Sequence, residues 1–186
     1  NPADLTVARV IYGESASDGD TLAIRLAPGT GGVTRLEVGA RRSGSIEWVG
    51  GDLPPGAIVP GVWSHIGVAF AEGARLDLAV NGVVVTRLTT GVATTRPETT
   101  ATVGRVARGG VPTTGAAYVG AIDEVRVWSY ARTYVPSDVT AVQKLAGGEP
   151  GLVAHFPMSA YATTGTDARG TVVVDQSGNG VVGTIT

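Results

Sequence analysis

The residues best suited to chemistry are oxygen-bearing side chains set in glycine-rich turns. Asp175-Gln176-Ser177-Gly178-Asn179-Gly180 puts Asp175 and Asn179 into one loop, and Asp18-Gly19-Asp20 puts two carboxylates into another. Calcium takes about six to eight hard oxygen ligands and favours such loops. A structural Ca2+ ion at Asp175 and Asn179, or at Asp18 and Asp20, is one reading of these loops; the other, which the residue types favour, is a plain Asx turn in which Asp caps its own backbone. Asp123 is the third metal candidate. The stretch 120–131 alternates, so Asp123 shares a face with Val125 and Val127, while Ile122, Glu124, Arg126 and Trp128 share the other. An inward carboxylate on that apolar face is costly alone and needs a metal, an arginine or backbone amides.

Catalysis finds less support. A retaining glycosidase needs two carboxylates about 5–5.5 Å apart. Alternate positions on one strand would supply them, but Asp123 and Glu124 are adjacent and point to opposite faces, and Glu37, Glu47 and Glu72 have no alternate-position carboxylate partner. There is no Gly-x-Ser-x-Gly elbow. The two histidines, His65 and His155, read as a buried cross-strand imidazole and a residue on the face of a late strand.

A sugar site would need an exposed aromatic ring with polar neighbours. Trp48, beside Gly50-Gly51 and the Pro54-Pro55 loop, is the candidate platform. Aromatic residues are only 5% of the chain, which argues against a rich lectin site. The net charge of −2 gives no broad pull toward nucleic acid, and Arg41-Arg42 alone reads as a solvated loop.

The elements that must hold these residues are strands. The 186 residues are enough for one sandwich-sized domain with a proper core, and 28 glycines and 10 prolines fit many short strands and tight turns. Zero cysteine excludes disulfides and thiolate zinc sites. No apolar run approaches the length of about 18 residues that a membrane helix needs. Alternation predicts strands at 5–12, 21–26, 33–40, 45–49, 63–70, 76–80, 83–85, 101–105, 152–156 and 171–174. Asn81-Gly82 predicts a two-residue type I′ hairpin that pairs Val80 with Val83 and Leu78 with Val85. Its core face would then carry Leu76, Leu78, Val80, Val83 and Val85. Residues 136–145 are the only helix expected, with Pro136 in the first turn and Gly147-Gly148 as the stop.

Three blocks carry a family resemblance. They are Gly120-Ala-Ile-Asp-Glu-Val-Arg-Val-Trp-Ser-Tyr-Ala131; Gly61-Val-Trp-Ser-His-Ile-Gly-Val-Ala-Phe70 followed by Leu76-Asp-Leu-Ala-Val-Asn-Gly-Val83; and Gly148-Glu-Pro-Gly-Leu-Val-Ala-His-Phe156 followed by Asp175-Gln-Ser-Gly-Asn-Gly180. Taken in chain order they resemble the laminin-G-like jelly rolls of the concanavalin A-like lectin and glucanase superfold. The resemblance implies an all-β, antiparallel jelly-roll sandwich with one short helix, over 1–186 as a single domain. It places Trp63 and Trp128 at core or edge strand positions. Retaining glucanases of this superfold carry Glu-x-Asp-x-Glu on one strand, and this chain has no such motif. The implied function is a non-catalytic extracellular recognition or adhesion module that binds a glycan or a protein. The alternative is an architectural subunit of a surface filament, array or particle, self-associating through sheet edges. The implied location is secreted or cell surface, in a bacterium, with no nucleic-acid partner and no membrane span. The family's opening block has no match before Asn1, so the closing strands within 148–186 are expected to fold back and fill the edge that block would occupy.

Overall fold

The computed structural model describes residues 2–3, 5–15, 21–41, 46–71, 75–89, 100–104, 107–108, 111–112, 117–134, 145–158 and 172–184. Among them the regular structure is antiparallel strand, apart from one 3-10 turn at Thr30–Gly32. The expected helix at 136–145 lies outside the described residues except for Leu145. The chain forms two compact units, Asn1–Ala121 with Tyr134–Val139, and Ile122–Thr133 with Thr140–Thr186.

Among the described residues the first unit holds ten strands: β1 (Arg9–Ser15), β2 (Thr21–Pro28), β3 (Thr34–Arg41), β4 (Ile46–Asp52), β5 (Ile66–Ala71), β6 (Arg75–Val80), β7 (Val83–Leu88), β8 (Thr100–Val103), β9 (Ala107–Arg108) and β10 (Val111–Pro112). β4-β3-β2-β1-β8 make a five-stranded sheet and β5-β6-β7 a three-stranded one. Alternation sends Leu26, Leu36 and Val38 from the first sheet against Leu76, Leu78 and Val80 from the second, with Leu53 and Ile58 between them. Burying these apolar side chains between facing sheets is the main stabilising term of a sandwich. The sheets approach closely at Gly51, where a Cβ atom would collide with the Thr86 side chain.

Several boundaries differ from their expected places, and two late starts have a visible cause. Regular pairing starts at Arg9 rather than residue 5, because the lead-in is tied elsewhere: Ala3 N–H donates to Val119 O at 2.9 Å. β5 starts at Ile66 rather than residue 63, because Gly61 adopts φ 80° and Val62 N–H closes a turn onto Val59 O. The hairpin turn is as expected, with Asn81 at φ 49° and Gly82 at φ 73°, and Val80 pairs with Val83. The register beyond it is not. A bulge makes Val85 an extra residue, so Leu78 pairs with Thr86 and Asp77 with Arg87. Leu76, Leu78 and Val80 line the core and Val85 packs against it, but Val83 at the tip is 53% exposed.

The second unit holds β11 (Val125–Trp128), β12 (Leu152–Phe156), β13 (Val172–Val174) and β14 (Val182–Thr184). β11 pairs with β12, and Arg126 lies opposite His155. The expected closing strand 171–174 pairs instead with 182–184, a strand that sequence pattern missed because Val181-Val182-Gly183 is too short to alternate.

Candidate functional site

One end of the three-stranded sheet carries an exposed tryptophan. The turn at Pro60-Gly61 carries Val59, Val62 and Trp63 outward, 44%, 53% and 56% exposed. Backbone bonds hold it from two sides. Gly61 N–H donates to Pro2 O at 2.9 Å, and the His65 and Asn81 backbones meet through Asn81 N–H to His65 O at 2.9 Å. His65 N–H donates to Asn81 Oδ1, also at 2.9 Å. The hairpin tip with Val83 and the Trp63 loop are thereby fixed at the same end of the sheet. The Trp63 indole N–H has no partner among the described residues. An exposed ring with an unused donor combines apolar contact area with a polar handle.

Trp48 is placed the other way. It lies on β4 against Val10 and Ala23, half-buried, with the Arg25 guanidinium 3.6 Å from its ring centre. A ring covered on this face by a cation cannot also stack on a pyranose there, so Trp48 is not the open platform expected. The same face of the sheet carries an ionic ladder. Glu37 accepts from Arg25 Nε at 2.7 Å and from Arg35 Nε at 3.1 Å, and Arg35 donates to Asp52 at 2.9 Å. Burial pushes the Asp52 carboxyl up, but hydrogen bonds from Thr30 and Arg35 hold it below its ordinary value. Trp128 is also intermediate in burial, flanked by Tyr130 edge-on and by Arg132 at 4.4 Å.

In the second unit the acidic residues serve the backbone. Asp175 Oδ1 accepts from the His155 and Ser177 amides, each at 2.9 Å. Its Oδ2 accepts from Ser177 Oγ at 2.7 Å and from the Val181 amide at 3.1 Å. Those bonds use the carboxylate's four acceptor positions. Burial pushes the group up, yet the bonds outweigh it and bring Asp175 to about 2. Asn179 Nδ2 donates to Leu152 O at 2.7 Å and Val153 O at 3.0 Å, tying the loop to β12. Asp123 is exposed rather than inward, because the strand begins only at Val125; its Oδ1 takes the Glu124 and Met158 amides at 2.9 Å. Backbone amides are thus the partners found for Asp123.

Glu124 breaks the expected alternation with φ 53°. Its Oε2 stands 2.7 Å from Arg126 and 2.9 Å from His155 Nε2. A carboxylate can only accept, so His155 Nε2 is the donor of this bond. Burial pushes Glu124 up, and the His155 and Arg126 bonds more than offset it, leaving the group lowered. His155 lies on β12 as expected and is buried, 1% exposed. Sequence reading missed this cluster; the only signal was Arg126 and His155 at opposed positions of two strands, which needs the pairing to be known.

A laminin-G-type family description, the concanavalin A-like lectin/glucanases superfamily, matches residues 1–134. The chain belongs to this superfamily. No curated protein matches it. The crystal structure of residues 221–444 of an S-layer domain-containing protein from Clostridium thermocellum ATCC 27405 aligns at 16% identity and TM-score 0.32, over 75% of this chain. The alignment spans 64% of that protein's solved chain.

In this concanavalin A-like chain two chemistries, calcium binding and hydrolysis, can be set against the geometry. For calcium, Asp175 has no acceptor position left, and among the described residues no group of three or more His, Asp or Glu side chains could hold a metal ion. The Asp175 carboxylate is therefore taken up by protein donors; Asp18 and Asp20 lie outside the described residues. For hydrolysis, Glu124 is engaged by Arg126 and His155 and faces no second carboxylate in that cluster. Among the described residues no helix is long and apolar enough to cross a membrane.

Proposed function

We propose that this chain is a non-catalytic recognition module of a secreted or cell-surface protein, which binds a glycan or protein ligand at the Trp63 end of its three-stranded sheet. The observation that carries the reading is Trp63 itself, 56% exposed on a loop braced by Pro2 and Asn81. A braced ring loses little entropy on binding, which favours affinity. Membership of a lectin-containing superfamily supports the same reading. The test is a glycan and protein array probed with the wild type and with Trp63→Ala. Ligands captured by the wild type and lost in the variant support the site. Ligands captured equally by both place the binding surface elsewhere.

An architectural role has one observation in its favour. Val172, Val174 and Val182 on the β13–β14 ribbon are 56%, 59% and 76% exposed. Light scattering on the isolated chain separates the two readings: a concentration-independent monomer supports recognition, and polymers that vanish on Val182→Lys support assembly.

A further inference from the structure

Two Asn-Gly pairs occur among the described residues, Asn81-Gly82 and Asn179-Gly180, and their side-chain amides are held in opposite senses. At Asn81 the carbonyl end is engaged: Oδ1 accepts the His65 N–H at 2.9 Å, while Nδ2 has no partner among the described residues. At Asn179 the amine end is engaged: Nδ2 donates to Leu152 O at 2.7 Å and to Val153 O at 3.0 Å. The partners decide which end is which, since an amide donor must face an oxygen and a carbonyl must face an N–H.

We propose that Asn81 is a modification site, deamidating in the folded protein while Asn179 is protected. The Gly82 backbone nitrogen attacks Asn81 Cγ. The new N–Cγ bond forms as the Cγ–Nδ2 bond breaks, the Gly82 proton passes to solvent, and Nδ2 leaves as ammonia. Water then opens the succinimide ring to aspartate or isoaspartate, with no change of oxidation state. The His65 N–H stands where negative charge develops on Oδ1, as an oxyanion donor does. The unheld Nδ2 is open to water for protonation as it leaves, and Gly82 has no side chain to obstruct the ring. At Asn179, donation from Nδ2 to two carbonyls strengthens the C–N bond that must break, and those two bonds must be lost as well.

The product alters the recognition end, a consequence that rests on the proposed function. Residues 59–66 and 80–86 carry no Asp, Glu, Lys or Arg, so deamidation brings a charge to an uncharged surface. Isoaspartate also adds a backbone atom to a two-residue turn whose register depends on its length.

The experiment incubates the folded protein at mildly alkaline pH and follows the tryptic peptides 76–87 and 170–186 by mass spectrometry, with a parallel incubation in denaturant. In the folded protein, peptide 76–87 gains the deamidation mass and peptide 170–186 lags by at least about tenfold, the scale of one or two amide hydrogen bonds. In denaturant the lag disappears, and Asn81→Gln abolishes the gain in 76–87. Equal rates in the folded protein, 170–186 leading, or 76–87 staying intact while both convert in denaturant, each overturns the proposal. The peptide map reads chemistry alone, so its failure is distinct from a failure of the ligand arrays.

Discussion

Arg87 stands directly across the β6–β7 ladder from Asp77, and it does so because Val85 is an extra residue in β7. Without the bulge Asp77 would face Thr86. With it, Arg87 binds the carboxylate through both oxygens, at 2.6 and 3.0 Å, and Arg75 adds a third contact at 3.0 Å. Asp77 is 1% exposed, so its charge depends on these partners. Asp77→Ala is expected to cost about 1–3 kcal/mol, below the full buried-pair value because both arginines can rehydrate. Arg87→Ala should lower the melting temperature less, since Arg75 remains. Thermal melts of the two variants check the order; a larger loss in Arg87→Ala would show that Arg75 does not share the load.

The three tryptophans should separate by substitution. Trp63→Ala is expected to change stability by no more than about 0.5 kcal/mol, as for other exposed positions. Trp48→Ala and Trp128→Ala should each cost roughly 1–3 kcal/mol, short of the full-burial value. Chemical denaturation measures all three. A severe loss in Trp63→Ala would make that ring structural and remove the basis of the proposed site.

Acid should act through Asp175. Its value falls from an ordinary 3.8 to about 2 in the folded chain. A depressed carboxylate stabilises the fold above its unfolded value and loses that contribution as pH falls through the folded one. The stability advantage of wild type over Asp175→Asn should be constant at neutral pH and shrink as pH drops from about 4 to about 2. Melting temperatures across that range test it; an advantage that stays flat would mean Asp175 is not the titrating group.

Chelation should leave the melt unchanged if the described acidic residues are the relevant ones, since Asp175 is fully occupied by protein donors. Calcium binding to the folded chain would raise the melting temperature by mass action. A calcium-dependent rise abolished by Asp175→Ala would refute the hydrogen-bonded reading of that loop. A rise abolished only by Asp18→Ala or Asp20→Ala would place the ion at the first loop.

Much of the fold could be read in advance, and the limits were physical. Alternation located β2, β3, β6 and β12 closely, because period-two burial leaves a local trace. Asn81-Gly82 fixed its turn, because few residues accept positive φ. Bulges at Ile11 and Val85 left no trace, since an extra residue is visible only against its partner strand. The candidate site was less legible: Trp63 is more exposed than Trp48, the reverse of expectation, because exposure depends on what the rest of the chain places above a ring.

By itself the sequence determined the class of fold, the antiparallel strands, the hairpin turn and the absence of thiol chemistry. These follow from local geometry and residue type. Tertiary structure alone decided that Asp175 holds a loop, that Glu124 meets His155 and that Trp63 is open while Arg25 covers Trp48. Each of those outcomes is a contact between residues distant in sequence or a turn taken before a strand begins, and local pattern does not encode them.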